Sequence, residues 1–406
     1  MARFENHRSP GSLQLPDDWR MKYVGDLFHL VSGMHLGPED YNRDGDGWPY
    51  FTGPTDYTNE LENVTKWTDR QTAAAKSGDV LLTVKGSGVG SLFPLKLERI
   101  SIGRQIMALR GKRDSSAEYI YYCLCEKVHL FRQLAKGNMI PGLTRSDILK
   151  QRIPVPPLPE QKAIAHVLAL MDKAIETNNR LIAQKEFRKQ WLMHNLLTGE
   201  KRFKGFTGEW RKRRLDEVIT LISRPIAKPT ENFLALGIRS HGKGTFLKQD
   251  FVPEKIEMDT LYIVRDNDLI LNITFAWEGA IAIVGPNDDG ALVSHRFPTF
   301  TFLEGKGDVE FFRHFILQPR LRYMLGVISP GGAGRNRVLD KKDFLRLEFV
   351  LPGIEEQSRI GELLSTADAE IRLLRSKTEN LRQQKKGLMQ RLLTGKTRLK
   401  SQETYV

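Results

Sequence analysis

The sequence predicts an α+β chain: two globular α/β modules joined by two long helices that pack on each other as a coiled coil, the whole forming a pseudo-twofold internal repeat. Three observations predict it. A stretch that reads as one long helix occurs twice, Pro159 to Gly199 and Glu355 to Gly395, at a constant offset of 196 residues without a gap. Both copies carry an apolar residue at alternating spacings of four and three, the seam of a coiled coil. The segments between them share one plan with different loops. An ungapped repeat of this length keeps a length as well as a composition.

The first module is expected over 1–157. After Trp19, the phrase MKYVGDLFHLVSG reads as an amphipathic helix. Asp44-Gly45-Asp46-Gly47 marks a turn. Gly78 to Val84 reads as a strand, followed by the loop Lys85-Gly86-Ser87-Gly88, and a further strand includes Gly103 to Leu109. A helix is expected from Ala117 to Leu134, then a loop from Gly137 to Leu143, then the extended exit Ile153 to Pro157.

The first long helix is expected over 158–200. Its seam runs through Ile164, Leu168, Met171, Ile175, Ile182, Leu192 and Leu196. It starts after prolines and stops at Thr198-Gly199. Neither long helix would be stable alone, because helical stability comes mostly from packing of an apolar face. Two uses of the seam stay open at this point, a dimerisation coil and an intramolecular spacer. About 38 residues at 1.5 Å each give a rod of roughly 57 Å.

The second module is expected over 201–353 and opens with a basic linker, 201–214, in which seven of fourteen residues are Lys or Arg and Phe203, Phe206 and Trp210 are interleaved. It reads either as a solvated linker or as a contact to phosphates or a partner. Trp210 then matches Trp19, Asn267 to Ile273 matches Gly78 to Val84, and Val293 to Phe297 matches Ile102 to Ile106. Asp308 to Leu325 is the expected helix, and Gly331 to Arg337 replaces the Gly137 loop. The second long helix is expected over 354–396, with a seam of Ile360, Leu364, Ile371, Leu374, Leu381, Leu388 and Leu392, and a tail over 397–406, with Lys396 to Lys400 basic. A frame that recurs while its loops diverge suits two modules with different binding preferences.

With 406 residues, two or three domains are expected. No run approaches 18 apolar residues and the N-terminus has no signal-peptide core, so the expectation is a cytoplasmic protein. Cys123 and Cys125 make neither a disulfide framework nor a tetrahedral metal site and read as core residues. The net charge of +13 points to a polyanionic partner. Catalytic constellations are missing. Gly395-Lys396-Thr397 follows a helix and has Gln390 where a phosphate loop needs glycine. The Asp/Asn-Pro-Pro-aromatic tetrapeptide of amino-methyltransferases is absent, as is a glycine-rich cofactor fingerprint between strand and helix. The nine histidines show no metal spacing. No metal site and no catalysis by this chain alone are expected.

Pro156-Pro157-Leu158-Pro159-Glu160-Gln161 with Leu196-Leu197-Thr198-Gly199, and Glu355-Glu356-Gln357 with Leu392-Leu393-Thr394-Gly395, flank two divergent modules. This arrangement resembles the DNA specificity subunit of type I restriction-modification systems over essentially the whole chain. The resemblance implies that each module is a target recognition domain reading half of a split, asymmetric DNA sequence. It implies that the long helices lie antiparallel and fix the gap, and that they bind two modification subunits that methylate adenine at N6. It implies restriction subunits in the same complex. S-adenosylmethionine, ATP and Mg are expected in those partners, with no cofactor in this chain.

Base readout needs Arg, Lys, Asn, Gln or Ser on exposed loops. The DNA-contact candidates are Lys85, Ser87, Arg104, Gln105, Asn138 and Arg145 in the first module, and Asn272, Thr274, Trp277, His295, Arg296, Arg335, Asn336 and Arg337 in the second. For each, an ordinary solvated polar residue is the competing account, and for His295 a structural histidine. The resemblance does not name individual base-reading residues, since these loops vary between members. Two other functions remain open from sequence: a non-catalytic coiled-coil scaffold, and the recognition part of a fused methyltransferase-nuclease system.

Overall fold

The computed structural model describes residues 15–70, 73–112, 115–136, 142–331 and 337–399. The chain forms two compact units, Met1–Asn178 with Lys377–Val406, and Asn179–Ser376. Each unit therefore holds one module, one half of the first long helix and one half of the second.

In the first unit, strand Arg20–Tyr23 pairs antiparallel with Arg152–Val155, bringing entry and exit of the module side by side. A four-stranded sheet runs in the order Phe28–Ser32, Ile106–Gly111, Val80–Thr83, Leu92–Pro94, and a second in the order Trp67–Thr68, Trp48–Phe51, Arg99–Ile102, Ala74–Lys76. The second unit repeats the scheme. Arg211–Arg214 pairs with Glu348–Leu351. A four-stranded sheet runs Ile219–Ile222, Thr299–Phe302, Leu269–Leu271, Ile281–Ile283. The remaining sheet has five strands, because Pro225–Ala227 pairs with Thr260–Ile263 and adds one outer strand.

Three expected elements differ. The stretch after Trp19 is a strand, a single helical turn at Val24–Leu27, and another strand. The turn is closed by Asp26 on the Tyr23 amide (2.9 Å), and Phe28–Ser32 is claimed by the Ile106–Gly111 strand. Tertiary pairing overrides the local helical pattern. The expected helix from Ala117 is two, Ala117–Cys125 and Val128–Ala135. Its counterpart is also two, Val309–Phe315 and Pro319–Val327, because Pro319 lacks the amide hydrogen that an unbroken helix would need there. Cys123 and Cys125 sit in or against the first core, and burial pushes their thiols up to about 12 and about 11.

The long helices run Leu158–Thr198 and Ile354–Leu392. Inside the first unit, the start of one packs beside the end of the other, so they are antiparallel: Ile164 and Leu168 share a core with Met389, Leu392 and Leu393. The second unit does the same with Leu196, Leu197, Ile360 and Leu364. Of the seam positions, Ile164, Leu168, Leu196, Ile360, Leu364, Ile371 and Leu392 are buried. Met171, Ile175, Ile182, Leu192, Leu374, Leu381 and Leu388 are half-buried. The seam ends do not only face the other helix but merge into the module cores. Farther from the ends, Lys385 bonds Asp172 (2.5 Å) and Lys189 bonds Asp368 (2.6 Å), each inside one unit.

The repeated Glu-Gln motif welds each module to its helix. Glu160, 5% exposed, accepts from Trp19 Nε1 (3.1 Å) and from Arg398 Nε and a terminal nitrogen (both 2.8 Å). Glu356, 2% exposed, accepts from Trp210 Nε1 (3.0 Å) and from two nitrogens of Arg202 (2.9 and 2.8 Å). Gln161 takes the Ser116 amide and donates to the Pro156 carbonyl, both at 2.9 Å; Gln357 takes the Asp308 amide and donates to the Pro352 carbonyl, both at 3.0 Å. The Thr-Gly stops belong to the same device. Gly199 (φ 76°) and Gly395 (φ 72°) turn the chain in the left-handed region directly over Trp210 and Trp19. Part of the basic linker and tail is thus structural: Arg202 and Arg398 neutralise the two buried carboxylates.

Candidate nucleic-acid interface

The same backbone ladder gathers three candidate segments in each module. In the first, the Val84 amide donates to the Gln105 carbonyl (2.7 Å) and the Leu143 amide to the Val84 carbonyl (2.8 Å). In the second, the Ile273 amide donates to the Arg296 carbonyl and the Leu339 amide to the Ile273 carbonyl, both at 3.0 Å. Lys85 and Ser87, Arg104 and Gln105, and Arg145 therefore come together beside one triplet. Thr274 and Trp277, His295 and Arg296, and Arg337 come together beside the other. Asn138, Arg335 and Asn336 lie outside the described residues.

In the first module Lys85, Ser87, Arg104 and Gln105 are exposed. The 103–105 turn is held by the preceding chain, which passes so close that a side chain on Gly33 would overlap the Gly103 carbonyl. A cavity of about 240 Å³ beside it is lined by Tyr41, Tyr50, Lys66, Arg104 and Gln105 among others. Lys66 is not a spare cation there. It bonds Asp56 (3.1 Å) and the Thr52 hydroxyl (2.8 Å). Burial works against the Asp56 charge, but the Thr52 hydroxyl and amide and the Lys66 ammonium outweigh it and hold the carboxyl below its usual range. Arg145 is also committed: its guanidinium bonds the Ser32 hydroxyl (2.8 Å) and the Leu30 carbonyl (3.0 Å), tying the helix Arg145–Leu149 to the first sheet.

In the second module the Arg337 guanidinium lies 5.2 Å from the centre of the Trp277 ring, a cation–π contact. Arg296 reaches the Thr274 hydroxyl at 3.4 Å, and the Trp277 indole donates to the Thr274 carbonyl at 3.2 Å. Asn272 spends its side-chain oxygen on the Thr274 amide (3.0 Å). His295 and Arg296 are exposed. Trp277 and Arg337 border a cavity of about 570 Å³ whose other walls include His241, Arg322 and Tyr323. Sequence reasoning missed these three. Tyr323 is 73% exposed on the helix Pro319–Val327, and the phrase Pro319-Arg320-Leu321-Arg322-Tyr323, basic and aromatic around a single buried leucine, was the available signal. Cations and exposed aromatic rings on one face suit phosphates and bases.

Among the described residues no helix is long and apolar enough to cross a membrane.

Residues 16–186 and 207–383 match the family described as type I restriction modification DNA specificity domain. The specificity subunit of type I restriction enzyme MjaVIII from Methanocaldococcus jannaschii is 27% identical, over 98% of this chain and 97% of its own. A putative type I specificity subunit, S.MpnORF638P of Mycoplasma pneumoniae, is 28% identical over 52% of this chain and 53% of its own. In fold, the chain resembles the S subunit of a type I restriction-modification system from M. genitalium, with a TM-score of 0.64 and 18% identity, over 94% of this chain and 98% of that one. Two matched stretches, the doubled module and the repeated helices agree: the chain belongs to the type I restriction-modification DNA specificity family, as a non-catalytic subunit that recognises DNA.

Proposed function

We propose that each module reads one half of a bipartite, asymmetric DNA site and that the paired long helices set the gap between the halves. The observation that carries this reading is the doubled weld. The same Trp–Glu–Arg contact and the same glutamine bridge fix each module to its helix pair, while the loops gathered on the exposed ladders differ. Rigid mounting of unlike readers is what a spacing rule requires, since a flexible linker could not hold register. Half-sites one duplex turn apart lie about 34 Å from each other, and a 41-residue helix is about 60 Å long, so the ruler is of the right order.

The helices also dock two N6-adenine methyltransferase subunits, and through them the restriction subunits. Leu170, Phe187, Trp191 and Leu373 stand exposed on the long helices and support a partner surface. The partners supply S-adenosylmethionine, ATP and Mg, and their target adenine leaves the stack for methylation. The complex works in the cytoplasm. The test inserts one heptad into both long helices and maps the bound sequence by selection from random DNA. A widened gap with both half-sites retained is expected. An unchanged gap removes the helices as the ruler, and no sequence preference in the unaltered chain favours a scaffold.

A further inference from the structure

A second cavity of the second module, of about 460 Å³, is lined by Phe275 and Glu278 of the 275–279 loop, whereas Trp277 and Gly279 of that loop line the Trp277–Arg337 cavity. Its size falls within the roughly 300–1,000 Å³ that small-ligand pockets occupy. Phe233, Phe246, Phe251, Phe275 and Phe297 line it, and Phe233 and Phe251 meet at 5.5 Å between ring centres. Two polar side chains from one loop share the lining. Glu278 accepts from the Ser240 hydroxyl on one oxygen (2.6 Å), leaving the other as an acceptor. Asn272 holds the Thr274 amide through its oxygen, leaving its amide nitrogen as a donor. Lys248 also lines the cavity, its ammonium 5.8 Å from the Phe246 ring centre and 5.7 Å from that of Phe251.

We propose that this cavity is a nucleobase pocket for an amino-bearing base, adenine or cytosine. Aromatic walls suit a flat heteroaromatic ring. A carboxylate in a chain of net charge +13 is misplaced for a phosphate but accepts from an exocyclic amino group, and the neighbouring amide donates to the adjacent ring nitrogen. Lys248 is then placed for the attached phosphate. The Asn272 loop and the Ser294 turn are both parts of the reading surface, so a base drawn from the duplex has a short path. The inference rests on the proposed DNA reading for its source of the base; a free nucleotide presents the same chemistry.

The experiment uses the full chain without partner subunits, so that any base extruded is extruded by this chain. The duplex is the one selected by binding. Permanganate reveals orphaned thymines and kethoxal orphaned guanines, the partners left behind by adenine and cytosine. Adenosine and cytidine are tested in parallel by equilibrium dialysis. One reactive orphan in one half-site is expected, lost in Glu278→Gln, with binding of that duplex about tenfold weaker. Glu278→Gln is isosteric and keeps an oxygen for Ser240, and its thermal midpoint reports folding. Nucleoside binding that is lost in Glu278→Gln, without a reactive orphan, assigns the pocket to a free nucleotide. Selective DNA binding with no orphan and no nucleoside binding overturns the pocket and leaves the proposed reading standing. If no duplex is bound selectively, that reading fails and the nucleoside arm alone decides the pocket.

Discussion

Replacing Gln161 by leucine is the sharpest test of the weld between module and helix. The side chain is 1% exposed; its oxygen holds the Ser116 amide and its nitrogen the Pro156 carbonyl. Leucine fills a similar volume, so the cavity term is small and the loss is almost wholly polar. Each buried group left without a partner costs about 1–3 kcal/mol, giving about 3 kcal/mol for the pair. A unit of roughly 200 residues loses about 2–4 °C per kcal/mol, so its midpoint should fall by about 6–12 °C. Calorimetry reads that shift, and hydrogen exchange reads the cause, since the Ser116 amide should lose its protection. Gln357→Leu should act alike on the other unit, with the Asp308 amide as its reporter. A fall below about 2 °C with Ser116 still protected would refute the assignment, because the Gln161 oxygen is the acceptor on which that amide's protection rests.

Arg337→Ala should weaken binding and relax only the half-site read by the second module, measured by binding selection; unchanged preference there would remove Arg337 from the reading surface. His314 is 2% exposed, with Asp368 3.8 Å from its unpartnered Nδ1 and Ser365 3.1 Å from Nε2; Lys189, Glu310 and Arg313 also act on it. Burial first, then the Lys189 ammonium, lower its pKa to about 4. The unfolded chain binds that proton more readily, so the stability from the neutral ring is complete above about pH 6.5 and is lost as pH falls toward 4. The loss amounts to about 3 kcal/mol and should vanish in His314→Phe, as urea titrations across that window will show. Cys123 and Cys125 should resist iodoacetamide at neutral pH until the first unit unfolds, since the reactive thiolate is suppressed at both. Labelling as fast as a free thiol would contradict their burial.

The long helices were legible because their signal is periodic and repeated. Ile164, Leu168, Ile360 and Leu364 could be placed from spacing alone, and the stops at Gly199 and Gly395 follow from backbone chemistry. The MKYVGDLFHLVSG stretch misleads because its helical spacing is local, whereas its partner strand, Ile106–Gly111, lies about 75 residues away. The reading loops were legible only as exposed polar segments. What gathers them, the hydrogen bonds from Val84 to Gln105 and from Ile273 to Arg296, runs through backbone atoms that carry no residue signature. Arg145 illustrates the limit. Its residue type suits base contact, yet its guanidinium is spent on Ser32 and Leu30.

The repeated motif itself acquires a physical cause. A carboxylate as buried as Glu160 or Glu356 needs a cation and hydrogen bonds to offset its desolvation. Each finds its cation in the segment that follows the far end of a long helix: Arg202 follows the first helix, and Arg398 follows the second. Antiparallel pairing inside a unit sets the start of one helix beside the end of the other, so the Glu-Gln beginning and the Leu-Leu-Thr-Gly ending meet around one tryptophan. An insertion of three or four residues in one helix alone would slide one of these ends past its partner. It would strand a buried carboxylate away from its arginine and indole. A matched insertion in both helices keeps each beginning beside its ending. The equal, ungapped length of the two long helices is therefore what two buried ion pairs at helix ends would enforce, and a one-sided insertion should unfold a module where a two-sided one does not.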